Sequence, residues 1–567
     1  MRKPLIAVLL CVHLSIWSSG AMAAQRPVDA SAADVSLPLA EVAPGATEVQ
    51  VPMRDGVQLA ANLYLPAGKG PFPCLLTRTP YHKDEARTAD PANAKAYTDN
   101  GYAYLVQDIR GQGRSQGTYY VSFTFDGFDG YDTVEWMAQQ GWCNGSIGVT
   151  GNSAMGIAGM LTAFMAPPHL KAGYIGVTPS SFLASSWIGG AFKDKDEGDW
   201  MRARGVSAEE IARAATTYID DAAWSGTSIE GNRKYIQIPI FHHGGWYDVF
   251  SEGAVQNFAY LQNHGAAGAR GNQKLEMGPY GHGPLSGDLA YPNSLADRKP
   301  NEIRWFDYWL KGADNGIMDE PPVRLYMMAS ARKGALSAKN RWMEFGNWPP
   351  SFRQRSYYLQ ADGRLSKDLP QSGVKALTYT ADPRKPVPTV GGANLTFERG
   401  PMDQRPIGQR QDYLRFRTSP LDEDIAIAGP VSVDLWASTD GADTDFVVKL
   451  VDVYPDGYEA IIVESAIRAR FRGGRRPDDV RMMTPGVPEK LVLDLRYMAL
   501  TFEKGHRIAV HVASSSSPKF DLNPNTGAVP GPGVKMRTAR NAIHIDAEHP
   551  SAVKLPLIYP ADLGNRK

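Results

Sequence analysis

At 567 residues the chain exceeds the size at which one hydrophobic core stops growing, so two or three packed units are expected. Apolar residues at 43% and charged residues at 21% exclude a disordered or low-complexity chain, while 41 prolines and 56 glycines favour turns and short strands over long helices. Lys plus Arg and Asp plus Glu each number 60, so the formal charge is zero and no basic excess points to nucleic acid or an anionic membrane as partner.

Met1, Arg2 and Lys3 precede an apolar run from Pro4 to Trp17 and then small residues ending Ala21-Met22-Ala23-Ala24. That order is the pattern of a secretory leader, with cleavage expected after Ala23 or Ala24. The run is shorter than the roughly 20 apolar residues of a membrane anchor, and no later stretch supplies them. A protein exported to the periplasm or the medium is therefore expected, with a net charge of −2 once Arg2 and Lys3 are lost. Cys11 falls in the leader. Cys74 and Cys143 remain, too few for a disulfide framework, and a bridge between them stays open.

From about Glu48 to Gly316 short apolar or β-branched runs alternate with amphipathic stretches, the rhythm of a mostly parallel sheet covered by helices. The runs are Val57 to Leu65, Pro73 to Thr77, Ala103 to Gln107, Ile147 to Thr150, Ala172 to Val177, Ile238 to His243 and Lys274 to Met277. Helices are predicted over Tyr131 to Gln139, Ala154 to Met165 and Asn301 to Lys311. The α/β domain is read as residues 40–179 and 235–320, interrupted by a polar helical cap at 180–234 in which Ser207 and Glu210 form a capping box. Beyond 321 alternating short strands, such as Val431 to Trp436 and Phe446 to Val453, predict an all-β sandwich to the end of the chain.

The strongest local signal is Ile147-Gly148-Val149-Thr150-Gly151-Asn152-Ser153-Ala154-Met155-Gly156, a strand running into a helix with a serine at the corner. Such a corner lifts a serine hydroxyl above the sheet, where a base can take its proton. The commoner esterase pattern has glycine at +2, and here glycine stands at +3. In this fold the acid and then the histidine follow the serine, each in a loop after a later strand. Pro239 to Asp248 and Leu275 to His282 are two such strand-loop units, which makes Asp248 the acid and His282 the base. His242 and His243 are competing bases, and Asp126, Asp129, Asp132 and Asp307 competing acids, in strand-end, turn or helical settings that favour packing or surface roles. The Ala154 N–H is one oxyanion donor by position, and a tyrosine in the loop after Leu75-Leu76-Thr77-Arg78-Thr79-Pro80 could be another. No H-E-x-x-H spacing accompanies the histidines, so neither a metal nor a cofactor is expected.

With these residues in place, the chain resembles the cocaine-esterase and X-Pro dipeptidyl-peptidase-like hydrolases, which include α-amino-acid ester hydrolases and glutaryl-cephalosporin acylases. The resemblance rests on Arg54-Asp55-Gly56-Val57, Thr79-Pro80-Tyr81, Asp108-Ile109-Arg110-Gly111, Asp129-Gly130-Tyr131-Asp132, Trp142-Cys143-Asn144-Gly145, Gly245-Trp246-Tyr247-Asp248, Gly278-Pro279 with His282, and Arg304 to Gly312. Asp443-Thr444-Asp445-Phe446 and Asn523-Pro524-Asn525-Thr526-Gly527 look like the family's C-terminal jelly roll. The resemblance implies an α/β-hydrolase domain with a helical cap and a jelly-roll domain. It implies nucleophile Ser153, acid Asp248, base His282 and oxyanion donors Tyr81 and Ala154. Glycine at +3 is the family's own pattern. Ala154 departs from the tyrosine usual after the nucleophile, which opens the pocket beside Ser153.

A small-molecule carboxylic ester is the expected substrate, with the cap aromatics Phe182 and Trp187 as candidate pocket residues. An amide acylase or exopeptidase is the rival, and would need carboxylates to hold an α-amino group, for which Glu197 and Asp199 are candidates. A non-catalytic carbohydrate-binding protein is the rival of another class.

Overall fold

The computed structural model describes residues 41–559 except 86–90, 120–122, 212–226, 295–297, 333–334 and 372. The leader expected at 1–23 and part of the expected cap lie outside the described residues. All seven apolar runs form strands of one ten-stranded sheet: β1 (Thr47–Pro52), β2 (Gln58–Tyr64), β3 (Phe72–Thr79), β4 (Ala103–Asp108), β5 (Cys143–Asn152), β6 (Leu170–Gly176), β7 (Ile240–Tyr247), β8 (Lys274–Gly281), β9 (Val323–Met327) and β10 (Arg341–Phe345). Their spatial order is β1-β2-β4-β3-β5-β6-β7-β8-β9-β10. The seven strands from β4 to β9 run parallel, and antiparallel pairs close both edges.

Every residue of β4 and β7 is buried, as a parallel sheet covered on both faces requires. Helices α1 (Pro91–Asp99) and α5 (Arg298–Lys311) pack on one face over Tyr97, Tyr104, Trp305 and Phe306. Helices α2 (Asp126–Ala138), α3 (Ala154–Phe164) and α4 (Ser251–His264) bring Val134, Met137, Ile157, Met160 and Leu261 to a second core.

The sheet runs past residue 320, where its end was expected. Val323–Met327 adds parallel to β8, and Arg341–Phe345 adds antiparallel beyond it. The outermost strand is partly exposed and lacks the continuous apolar run of a strand covered on both faces, so its sequence does not assign it to the α/β half.

Most of the remaining strands form two antiparallel sheets. One is centred on Ile425–Thr439, paired with Glu489–Phe502 and Ala552–Ile558. The other has the order Leu414–Arg417, Arg507–Ala513, Asp445–Val453, Glu459–Arg468. The described part of the cap holds a short helix, Phe182–Ser186, a two-residue hairpin and a π-turn, Asp194–Gly198. The capping box forms: the Glu210 carboxylate accepts from the Ser207 N–H at 3.1 Å, and the Ser207 hydroxyl accepts from the Glu210 N–H at 3.2 Å. The cap also leans on the β domain, where the Phe192 N–H donates to Asp521 at 2.8 Å and the Arg468 N–H to the Gly189 carbonyl at 2.9 Å.

Candidate active site

Strand β5 ends at Asn152 and α3 begins at Ala154, leaving Ser153 alone at the corner with φ 57° and ψ −130°. A serine held there stores roughly 1–3 kcal/mol of backbone strain. Its N–H donates to the Gly176 carbonyl at 3.1 Å, and its carbonyl accepts from the Ile157 N–H at 2.8 Å, so both neighbours hold the turn. The turn also explains the glycine at +3. A Cβ on Gly156 would come within 2.6 Å of Thr178 Cγ2 and 2.9 Å of the Gly151 and Gly176 carbonyl oxygens. The first turn of α3 rests directly on the ends of β5 and β6, and Met155 at +2 lies against Gly151, where a Cβ would come within 2.7 Å of the Met155 backbone.

Asp248 follows the last residue of β7, and His282 follows the last residue of β8. His282 Nδ1 lies 2.9 Å from Asp248 Oδ2, and His282 Nε2 lies 2.8 Å from Ser153 Oγ. In the neutral tautomer Nδ1–H donates to the carboxylate and the serine hydroxyl donates to Nε2. The second Asp248 oxygen accepts from the Phe250 N–H at 2.8 Å, and the carboxylate has no solvent exposure. Burial opposes a charge on His282, as do Arg399 and Lys193. The Asp248 carboxylate outweighs them and holds the His282 pKa above the ordinary histidine value.

The Ala154 N–H opens α3 and so has no partner within the helix. Tyr81 sits in the loop after β3, next to β5 in the sheet. Its N–H donates to Thr79 Oγ1 at 3.0 Å, and the Arg204 guanidinium from the cap lies 4.5 Å over its ring. Asp108 ties the same loop down by accepting from the Lys83 N–H at 2.6 Å and the Arg114 N–H at 3.0 Å. Burial raises the Asp108 pKa to about 6, so much of the cost of this anchor is desolvation.

The rival acids are occupied elsewhere. Asp126 and Asp129 face Arg78, Asp129 and Asp55 are bridged by Arg110, Asp132 pairs with Arg54, and Asp307 pairs with Lys311. His242 is buried against Gln273 at 3.1 Å, and burial lowers its pKa to about 4. His243 is packed beneath Gly176, where a Cβ would come within 2.0 Å of its ring. Among the described residues, His544, Asp546 and His549 of the β domain are the group whose ligand atoms approach within 4.8 Å of one another.

Of the two aromatics expected in the pocket, Phe182 stacks on Phe123 at 5.6 Å, and Trp200 also stacks on Phe123, at 6.4 Å. This stack shares an apolar cluster with Ala154 and Tyr81. Trp187 does not line the site. Only 1% exposed, it is closed in a cluster with Leu183, Phe192 and Phe471, because the cap must bury an apolar face against the β domain. Asp199 is held on the surface by Lys195 and Arg202. Glu197 is buried, and its charge is felt at His282, but Lys193 Nζ lies 3.2 Å from it and neutralises it.

One contributor is invisible in the local pattern. Residues 391–400 of the β domain turn back on themselves through reciprocal Gly392 and Gly400 N–H···O bonds of 2.8 and 2.9 Å. Asp196 of the cap accepts from the Leu395 and Thr396 N–H groups at 2.9 and 3.0 Å. Past His282, the Ser286 N–H donates to the Arg399 carbonyl at 2.8 Å. The segment thus bridges the cap and the histidine loop. Gly391, Gly392 and Gly400, all at positive φ, mark the turn.

The family model for the X-Pro dipeptidyl-peptidase (S15 family) matches residues 55–217 and 207–284, and that for the X-Pro dipeptidyl-peptidase C-terminal non-catalytic domain matches 315–554. Cocaine esterase of Rhodococcus sp. (strain MB1 Bresler) is 30% identical over 584 residues, covering 90% of this chain and 98% of that protein. An α-amino acid ester hydrolase structure is 26% identical with a TM-score of 0.77, covering 94% of this chain and 100% of that one. An aminopeptidase structure from a marine sediment Thaumarchaeota archaeon is 25% identical with a TM-score of 0.77, covering 91% and 97%.

Proposed function

The chain belongs to the cocaine-esterase and X-Pro dipeptidyl-peptidase-like serine hydrolases, and from that premise we propose that it is an exported carboxylic ester hydrolase working through an acyl-enzyme on Ser153. The observation that carries the reading is the continuous hydrogen-bonded path from Ser153 Oγ through His282 to buried Asp248. Ser153 attacks the ester carbonyl as His282 Nε2 takes its proton, and Asp248 stabilises the imidazolium. The oxyanion falls to the Ala154 N–H and the Tyr81 hydroxyl. The imidazolium returns the proton to the departing alkoxide, and water, activated by the same histidine, releases the acid.

Esters are favoured over aminoacyl amides because neither acidic residue considered for an ammonium group is available. Glu197 is neutralised by Lys193, and Asp199 is held by two cations at the surface. Export rests on the leader pattern of residues 1–24. No helix among the described residues is long and apolar enough to cross a membrane.

The test is labelling of the purified protein with a fluorophosphonate, alongside turnover of p-nitrophenyl acetate and an aminoacyl p-nitroanilide. Labelling should vanish in Ser153→Ala and His282→Ala, and the ester should be cleaved in preference. Preference for the anilide would favour the acylase or peptidase reading. A folded protein that neither labels nor turns over would remove Ser153 as nucleophile.

A further inference from the structure

We infer that Arg399 is a receptor for a carboxylate on the substrate, so that the esters preferred by this site carry a negative charge on the acyl portion. The inference rests on the hydrolase reading and deepens it.

Arg399 comes from the 391–400 segment and runs along the two glycines flanking the catalytic histidine. A Cβ on Gly281 would come within 2.8 Å of Arg399 Cδ, and one on Gly283 within 2.9 Å of Arg399 Nη1. The backbone on both sides of His282 is thus shaped to admit this side chain. Its own backbone is fixed, with the carbonyl accepting from the Ser286 N–H and the N–H donating to Ser286 Oγ at 3.3 Å.

Arg399 is half-buried yet meets no carboxylate among the described residues. Other shielded arginines of the chain are engaged: Arg78 with Asp126, Arg110 with Asp55 and Asp129, Arg468 with Asp445 and Asp521, and Arg470 with Asp443. A guanidinium taken partly out of water and left without an anion is a standing energetic cost, and its planar fork fits a carboxylate in two parallel hydrogen bonds.

A second cation lies near His282. Lys193 of the cap is 1% exposed, and its ammonium makes no hydrogen bond, with Glu197 Oε1 at 3.2 Å its one ionic contact. It lies 5.5 Å from the Phe250 ring centroid, and that ring meets the His282 imidazole edge-on at 5.8 Å. Glu197 offsets Lys193 and Asp248 faces the imidazole, so of the two cations near His282 Arg399 is the one with no carboxylate of its own. Both cations work against the imidazolium that must form during acylation. A substrate carboxylate seated on Arg399 would cancel that penalty in the complex, so the same contact serves binding and the proton transfer.

The experiment compares mono-p-nitrophenyl adipate, which is anionic, with p-nitrophenyl hexanoate, of the same chain length and leaving group. The full-length protein is used as wild type, Arg399→Gln and Arg399→Lys, each titrated with a fluorophosphonate to count active sites. The wild-type ratio of kcat/KM, anionic over neutral, should exceed about ten, the scale of one charge-assisted contact. That ratio should fall about tenfold in Arg399→Gln, chiefly through KM, be partly kept in Arg399→Lys, and shrink as salt is raised. A wild-type ratio at or below one, or a ratio unchanged in Arg399→Gln, overturns the inference while labelling shows the hydrolase intact. Absence of labelling in the wild type overturns the hydrolase reading itself, and the inference with it.

Discussion

Replacing Asp248 with asparagine removes one charge and almost no volume from a site with no solvent exposure. The lost attraction between carboxylate and imidazolium, about 4 Å apart, is worth about 4 kcal/mol at an effective dielectric of 20. Asparagine also turns a donor toward His282 Nδ1, which forces the ring proton onto Nε2, the atom that must accept from Ser153. A fall in kcat of about 10,000-fold follows from the wrong tautomer with geometry retained. The pH profile supplies an independent sign. In the wild type His282 must be neutral to act, so kcat/KM rises with pH through a pKa held above the ordinary value by Asp248. Without that carboxylate, burial, Arg399 and Lys193 all push the same way, and the acid limb of residual activity should move to lower pH. Stopped-flow or initial-rate assays with p-nitrophenyl acetate from pH 5 to 9, on an active-site-titrated sample, read both effects. A loss under tenfold, or an acid limb that stays in place or moves up, would refute the role given to Asp248.

Ser153→Gly removes the nucleophile and also the side chain strained at φ 57°. It should abolish labelling yet leave stability equal or up to about 1 kcal/mol higher, read by urea denaturation, because strain relief is partly offset by glycine's greater unfolded-state entropy. Gly156→Ala drives a methyl into Thr178 and two carbonyl oxygens. It should cost about 1–3 kcal/mol of stability and lower kcat by displacing the nucleophile corner. Asp196→Ala leaves the Leu395 and Thr396 N–H groups without their acceptor. Hydrogen exchange at those two amides should quicken, with unchanged exchange there counting against the bridge between cap and 391–400 segment. Tyr81→Phe keeps the Arg204 contact on the ring and removes the hydroxyl, and a kcat loss of about 100-fold is expected from one oxyanion donor.

Much of the active site was legible because its parts are local. A strand, a tight loop and one chemically distinctive residue recur at Ser153, Asp248 and His282, and each unit is complete within about ten residues. The chain order of those units fits a parallel sheet, where every strand delivers its loop to the same edge. The seven apolar runs become strands because β-branched and apolar side chains in a doubly covered sheet need no alternation. The glycine at +3 was readable as a pattern. Its reason is tertiary, since only the seating of α3 on the ends of β5 and β6 shows the clash a Cβ would make.

What the tertiary structure alone decided depends on residues far apart in sequence. Strands Val323–Met327 and Arg341–Phe345 carry the polarity of either half, and only their pairing beside β8 assigns them to the first sheet. Trp187 reads as a pocket aromatic until Phe471, nearly 300 positions later, closes over it. Glu197 is the exception, because its partner Lys193 stands only four positions away and the local π-helical turn brings the two to 3.2 Å. Arg399 has no local pattern to mark it. Sequence spacing specifies which side chains can share a turn or a strand end, but which charges meet across domains is set by how the folded units pack.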